Sequence, residues 1–117
     1  MNIPLFRLAA ALCFLAVALG AFGAHALKAT LTAHETMEVW KTAVLYHFLH
    51  ALALLVLGTL PTAGKIAPAL FLAGIVLFSG SLYLLALTNL KWLGPITPLG
   101  GLCFLSGWLC LAIWPPR

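Results

Sequence analysis

Trp40-Lys41-Thr42-Ala43-Val44-Leu45-Tyr46-His47-Phe48-Leu49-His50 is the segment on which the reading of this chain turns. It opens an apolar run that continues through Ala51-Leu52-Ala53-Leu54-Leu55-Val56-Leu57 to Gly58 and carries two histidines into it. A run of this length and apolarity reads as a membrane-crossing helix from about Thr42 to Leu60. An imidazole in hydrocarbon is costly unless a protein group satisfies it, because water is scarce there. The segment thus names the solvent of the fold and the place where polar side chains must find one another.

The rest of the composition agrees. Of 117 residues, 64% are hydrophobic and 7% charged, and the mean hydropathy is +1.15, whereas soluble domains carry about 25% charged residues. A soluble fold has no interior large enough to hide so much apolar surface. The length suits one domain, so residues 1–117 are expected to form a single transmembrane domain. The net charge of +4 comes from scattered Lys and Arg without a cluster, which leaves nucleic acid no electrostatic footprint. Cys13, Cys103 and Cys110 sit in apolar runs without CxxC spacing, so they read as buried thiols rather than disulfide or zinc residues.

Working outward, the apolar runs divide the chain into spans of about 5–27, 42–60, 66–87 and 97–114. Arg7 followed by an apolar run and Ala24-His25-Ala26 also matches a secretory signal, but an uncleaved span is expected. Between the first two spans, Thr32 and Glu35 have capping-box spacing and predict a short extra helix starting there, with His34, Glu38 and Lys41 on a solvated face. Pro61-Thr62-Ala63-Gly64-Lys65 closes span two, and Pro68 suits the first turn of span three. Thr88 to Pro95 is expected to be a turn, with span four starting between Pro95 and Pro98. The fold class is therefore all-α: an integral membrane four-helix bundle with a short extra helix between spans one and two. Trp40 and Trp92 would mark one interface and Trp114 the other. Arg7, Lys65 and Arg117 on one side balance Lys28, Lys41 and Lys91 on the other, and the first span tips the expectation toward cytoplasmic termini.

Small residues predict the packing faces. Ala16, Gly20 and Ala24 repeat every four residues in span one; Ala67, Gly74, Ser81 and Thr88 repeat every seven in span three; Gly100 and Gly107 do so in span four. Such faces let backbones approach where lipid removes the hydrophobic drive between helices.

At ~1.5 Å per helical residue, counting from Thr42 places His47 and His50 roughly 8 and 12 Å deep, on one helix face. Adding His25 gives three imidazoles expected near one level, with Met37, Tyr83 and Thr97 in the same leaflet. Such rings can hold copper, zinc or haem, but neutral rings bonded to carbonyls, hydroxyls or water and fixing helix packing are the favoured reading. HExxH is absent. No span holds Asp or Glu, which argues against a transmembrane proton route, and Phe78-Ser79-Gly80-Ser81 lacks the strand-to-helix setting of a hydrolase nucleophile.

Four stretches carry a resemblance: Gly20-Ala21-Phe22-Gly23-Ala24-His25-Ala26-Leu27, the Trp40 to Leu52 segment, Phe78-Ser79-Gly80-Ser81-Leu82-Tyr83, and Gly94-Pro95-Ile96-Thr97-Pro98-Leu99-Gly100-Gly101. In this order they resemble the YgdD-like family of small membrane proteins of unknown function (domain of unknown function family 423). The resemblance implies a four-span protein of the bacterial inner membrane without an established reaction. It also implies glutamine at the position of His47, which makes His25, His50 and Tyr83 the stronger candidates for a shared polar site.

Two functions follow as expectations. The first is a multi-pass inner-membrane protein that is no enzyme, a structural or accessory component in the lipid bilayer, compatible with a homo-oligomer or a larger membrane complex and needing no cofactor or metal. The second is a membrane-embedded haem, metal or small-ligand binding protein using His25, His47, His50 and Tyr83.

Overall fold

A backbone that cannot bond to lipid must close its own hydrogen bonds, and apolar runs punctuated by Pro, Gly and Asn close them as helices. The computed structural model describes residues 1–116. It consists of α1 (Ile3–Ala24), α2 (Lys28–Ala33), α3 (Met37–Thr59), α4 (Ile66–Thr88) and α5 (Lys91–Ile113), with no strand among the described residues. All but α2 are long and apolar enough to cross a membrane, so the expected all-α, four-span architecture with its short extra helix is what the chain forms. Arg117, one of the basic residues weighed for orientation, lies outside the described residues.

Helix ends follow local chemistry, with three departures from expectation. Asn2 caps α1, its Oδ1 accepting the Leu5 N–H at 3.0 Å, while its own N–H donates to the Gly58 carbonyl at 2.8 Å and ties α1 to the end of α3. The capping box of Thr32 and Glu35 does not form. Thr32 lies inside α2, and Glu35 sits in the tight turn after it with φ of 56°. Helix α3 begins at Met37, earlier than Thr42, which moves His47 and His50 to the middle of that helix. The expected turn from Thr88 to Pro95 is also mostly helical. Asn89, with φ of 57°, ends α4, and a 3₁₀ stretch, Lys91–Ile96, carries Pro95 into the α-helical part of α5 that starts at Thr97. Proline tolerates this because its fixed φ and missing N–H suit a helix start. Within α4, one π-helical turn covers Ile75–Ser79.

Helix α3 is the axis of the assembly. It buries Trp40, Ala43, His47, His50, Ala51, Leu54, Leu57 and Gly58 along one broad stripe. Helix α1 packs chiefly along α3, α4 packs on α3 and α5, and α5 reaches α3 through its aromatic rings. The resulting bundle is flattened, with extents of 48 × 26 × 17 Å.

The small-residue faces are placed as expected on α4 and α5 and differently on α1. Ala67, Gly74, Ser81, Gly100 and Gly107 are buried, whereas Thr88 is exposed. On α1 the buried stripe is Ala9, Ala16 and Gly23, while Ala24 is exposed. Steps of seven residues drift ~20° around a helix, so they hold a stripe against a long neighbour, and steps of four drift faster. At the α4–α5 seam the glycines receive rings from the opposite helix. A Cβ at Gly74 would overlap the Phe104 ring, one at Gly107 the Phe71 ring, and one at Gly100 the backbone of Phe78.

Candidate functional site: a buried polar chain

His50 is the best-defined polar group in the core. Its Nδ1 lies 2.7 Å from the Tyr46 carbonyl one turn earlier, and a carbonyl only accepts, so Nδ1 carries the proton. The Trp108 indole N–H on α5 then donates to Nε2 at 3.0 Å. Both ring nitrogens are used and the ring is neutral. Its faces are used as well, since it stacks on Phe104 with centroids 3.6 Å apart and meets the edge of Phe71 at 5.4 Å. Tyr46 extends this aromatic layer over Phe78.

His47, one turn nearer α2, faces a different partner. Its Nδ1 pairs with the Tyr83 hydroxyl on α4 at 2.8 Å, and the Tyr83 ring packs against Trp40 with centroids 4.8 Å apart. On the α1 side the Leu12 carbonyl lies beside the ring, and His47 Nε2 is buried without a hydrogen-bond partner. A glutamine here has the donor and acceptor to meet the same Tyr83 hydroxyl.

His25 does not join them. It caps the end of α1, exposed, five residues beyond Gly20, which faces Val44 one turn before His47, and so stands about 12 Å from the level of His47. Three imidazoles at one level, expected from the sequence, are therefore reduced to an adjacent pair whose rings serve different helices. Among the described residues no three His, Cys, Asp or Glu side chains converge as a metal group. Met37 packs with Leu31 and Trp40 in an apolar cluster.

Other polar side chains continue the pattern of one helix bonded to the next. Ser79, swung by the π-helical turn, donates to the Ala43 carbonyl of α3 at 2.8 Å. Ser81 on α4 and Thr97 on α5 share a hydrogen bond of 2.7 Å. The Trp40 indole, 2% exposed, donates to the Leu19 carbonyl of α1 at 2.9 Å and fills the notch at Gly23. Trp40 is thus a core residue rather than an interface marker, while Trp92 and Trp114 are exposed at 64% and 72%. Near the α2 end, Thr36 and His34 both donate to the Ala86 carbonyl, at 2.8 and 3.0 Å, and so cap the last turn of α4. His34 is therefore half-buried and bonded to α4, although its expected companions Glu38 and Lys41 are exposed and pair at 3.5 Å.

Several of these partners are invisible to sequence reading. Trp108, Phe104 and the Ala86 carbonyl come to the site from distant segments, and only Tyr46, one helical turn before His50, carries a local signal.

The arrangement holds four spans together by hydrogen bonds. Comparison with known proteins agrees with its class. A family model described as "Protein of unknown function (DUF423)" matches residues 19–101. The UPF0382 membrane protein SH2409 of Staphylococcus haemolyticus is 46% identical over 114 residues, covering 93% of each chain. The UPF0382 membrane protein YwdK of Bacillus subtilis is 46% identical over 109 residues, covering 85% of each. No solved structure matches. With four apolar spans, this fold and these relatives, the chain belongs to the DUF423 family, bacterial multi-pass membrane proteins of unknown function.

Proposed function

We propose that the protein is a non-catalytic membrane component whose buried polar chain fixes how its spans pack, and that it works as a homo-oligomer or as an accessory subunit of a larger membrane complex. The observation that carries this reading is His50, whose two nitrogens are both committed to protein partners. A ring held in this way serves packing rather than turnover. The flattened bundle, with α1 the least buried span, supports assembly through the outer face of α1. Purification in mild detergent followed by mass measurement tests it: an oligomer or a stoichiometric partner is expected, and a lone homogeneous monomer overturns the assembly role.

A metal or small ligand held at His47 beside Tyr83, without His25 or His50, is the second reading, supported by one atom, the unpartnered Nε2 of His47. Optical spectra and metal analysis decide between them. A stoichiometric chromophore or metal that is lost in a His47→Gln variant of unchanged stability overturns the packing role.

A further inference from the structure

We propose that the rim between α2 and the α4–α5 turn binds the headgroup of a phospholipid bearing a primary ammonium and a phosphate. His34, Glu35, Thr36, Leu85, Asn89 and Lys91 line a cavity of about 350 Å³ there. Glu35 and Asn89, the only non-glycine residues with positive φ among the described residues, both belong to it. Left-handed backbone is costly for residues with a Cβ and collects at binding sites. The cavity also joins opposite charges that do not neutralise each other. Neither Glu35 nor Lys91 has an ion-pair partner among the described residues; the one pair found is Lys41 with Glu38.

His34 completes the set. Its Nδ1 donates to the Ala86 carbonyl, so in the neutral ring Nε2 is left as an acceptor. The walls thus offer two acceptors, the Glu35 carboxylate and His34 Nε2, with the Lys91 ammonium as donor for an anion. A zwitterion with a hydrogen-bonding cation and a phosphate matches this set, whereas a simple anion or a methylated cation matches only part of it. The location favours a lipid as its source. Leu90 and Trp92, exposed at 46% and 64%, flank Lys91, and exposed Trp beside a span end marks headgroup depth.

Native mass spectrometry of the full chain in detergent, titrated with phosphatidylethanolamine, phosphatidylcholine and phosphatidylglycerol of matched acyl chains, tests the proposal. The expected result is one retained phosphatidylethanolamine with about tenfold preference over the other two, equal to ~1.4 kcal/mol. That preference should collapse in Glu35→Gln, while Lys91→Gln should lower retention of all three lipids together, in variants whose helicity and melting temperature match the parent. Equal retention of phosphatidylcholine removes the role of the hydrogen-bonding ammonium, and equal retention of phosphatidylglycerol leaves only an anion contact at Lys91; either overturns the proposal, as does unchanged preference in Glu35→Gln or unchanged retention in Lys91→Gln. Free phosphoethanolamine, added without lipid, distinguishes the source. A raised melting temperature that Glu35→Gln abolishes supports the same chemistry with a soluble ligand, and no shift beside selective lipid retention supports the lipid.

Discussion

Trp108 on α5 donates its indole N–H to Nε2 of His50 on α3, 3.0 Å away, near the middle of the α3 span. Helices α3 and α5 are not sequence neighbours, and this bond, with the stacking of His50 on Phe104, joins them across the bundle. His50→Leu should destabilise the protein by about 1–3 kcal/mol, chiefly by stranding the Trp108 N–H. Trp108→Phe should cost less, and the double variant less than the sum of the two. Reversible unfolding in mixed micelles measures this cycle, and strict additivity would show that the bond contributes nothing.

Glycine positions on α5 should separate sharply. Gly100→Ala places a methyl group into the Phe78 backbone, and Gly107→Ala into the Phe71 ring, whereas the nearest atom to a Cβ at Gly101 is the Phe78 ring at 3.9 Å. Overpacking of this kind costs about 1–3 kcal/mol. Gly101→Ala should be neutral or slightly stabilising, since alanine is the better helix former. Melting temperatures of the three variants check the order, and equal values would mean that the α4–α5 seam is looser than described.

His47→Gln should leave stability within about 1 kcal/mol of the parent, because the amide keeps a bond to Tyr83. His47→Leu strands the Tyr83 hydroxyl in the core and should cost more; Tyr83→Phe in the same chain should recover part of that loss. Thermal unfolding of the four chains is the measurement. Glutamine proving as damaging as leucine would refute the assigned pair.

Thr36→Val should loosen the end of α4 by removing one of two donors to the Ala86 carbonyl. The expected loss is about 1 kcal/mol, with faster tryptic cleavage after Lys91, two residues beyond the left-handed Asn89. Thr36→Ser keeps the hydroxyl and should restore resistance. Identical cleavage rates in all three chains would count against capping from the α2–α3 turn.

The four spans, their helical nature, the presence of a short extra helix and, Thr88 apart, the small-residue faces of α4 and α5 were legible in the order of residues, whereas the extra helix ends at Ala33, where the spacing of Thr32 and Glu35 would have started it. Lipid as solvent makes them so: every unbonded backbone group is penalised there, which leaves an apolar run of about 20 residues few alternatives to a helix. The same logic required His47 and His50 to have partners without naming them. Periodicity within one helix says which face is buried, but not which atom of another helix meets it. Tyr83 for His47, Trp108 for His50, Ala43 for Ser79 and Ala86 for His34 are choices of tertiary packing, made by interhelical register and by the π-helical turn of α4. Helix starts shifted for a related reason. Thr32 and Glu35 have the local spacing of a cap, yet the turn they occupy is set by Leu31 packing on Trp40 and Ala86 and by Thr36 bonding to α4; those contacts bury more than a cap would satisfy. Residue order alone therefore determined the solvent, the helices and the need for a buried polar network, while the wiring of that network arose only when helices distant in the chain came within hydrogen-bond reach.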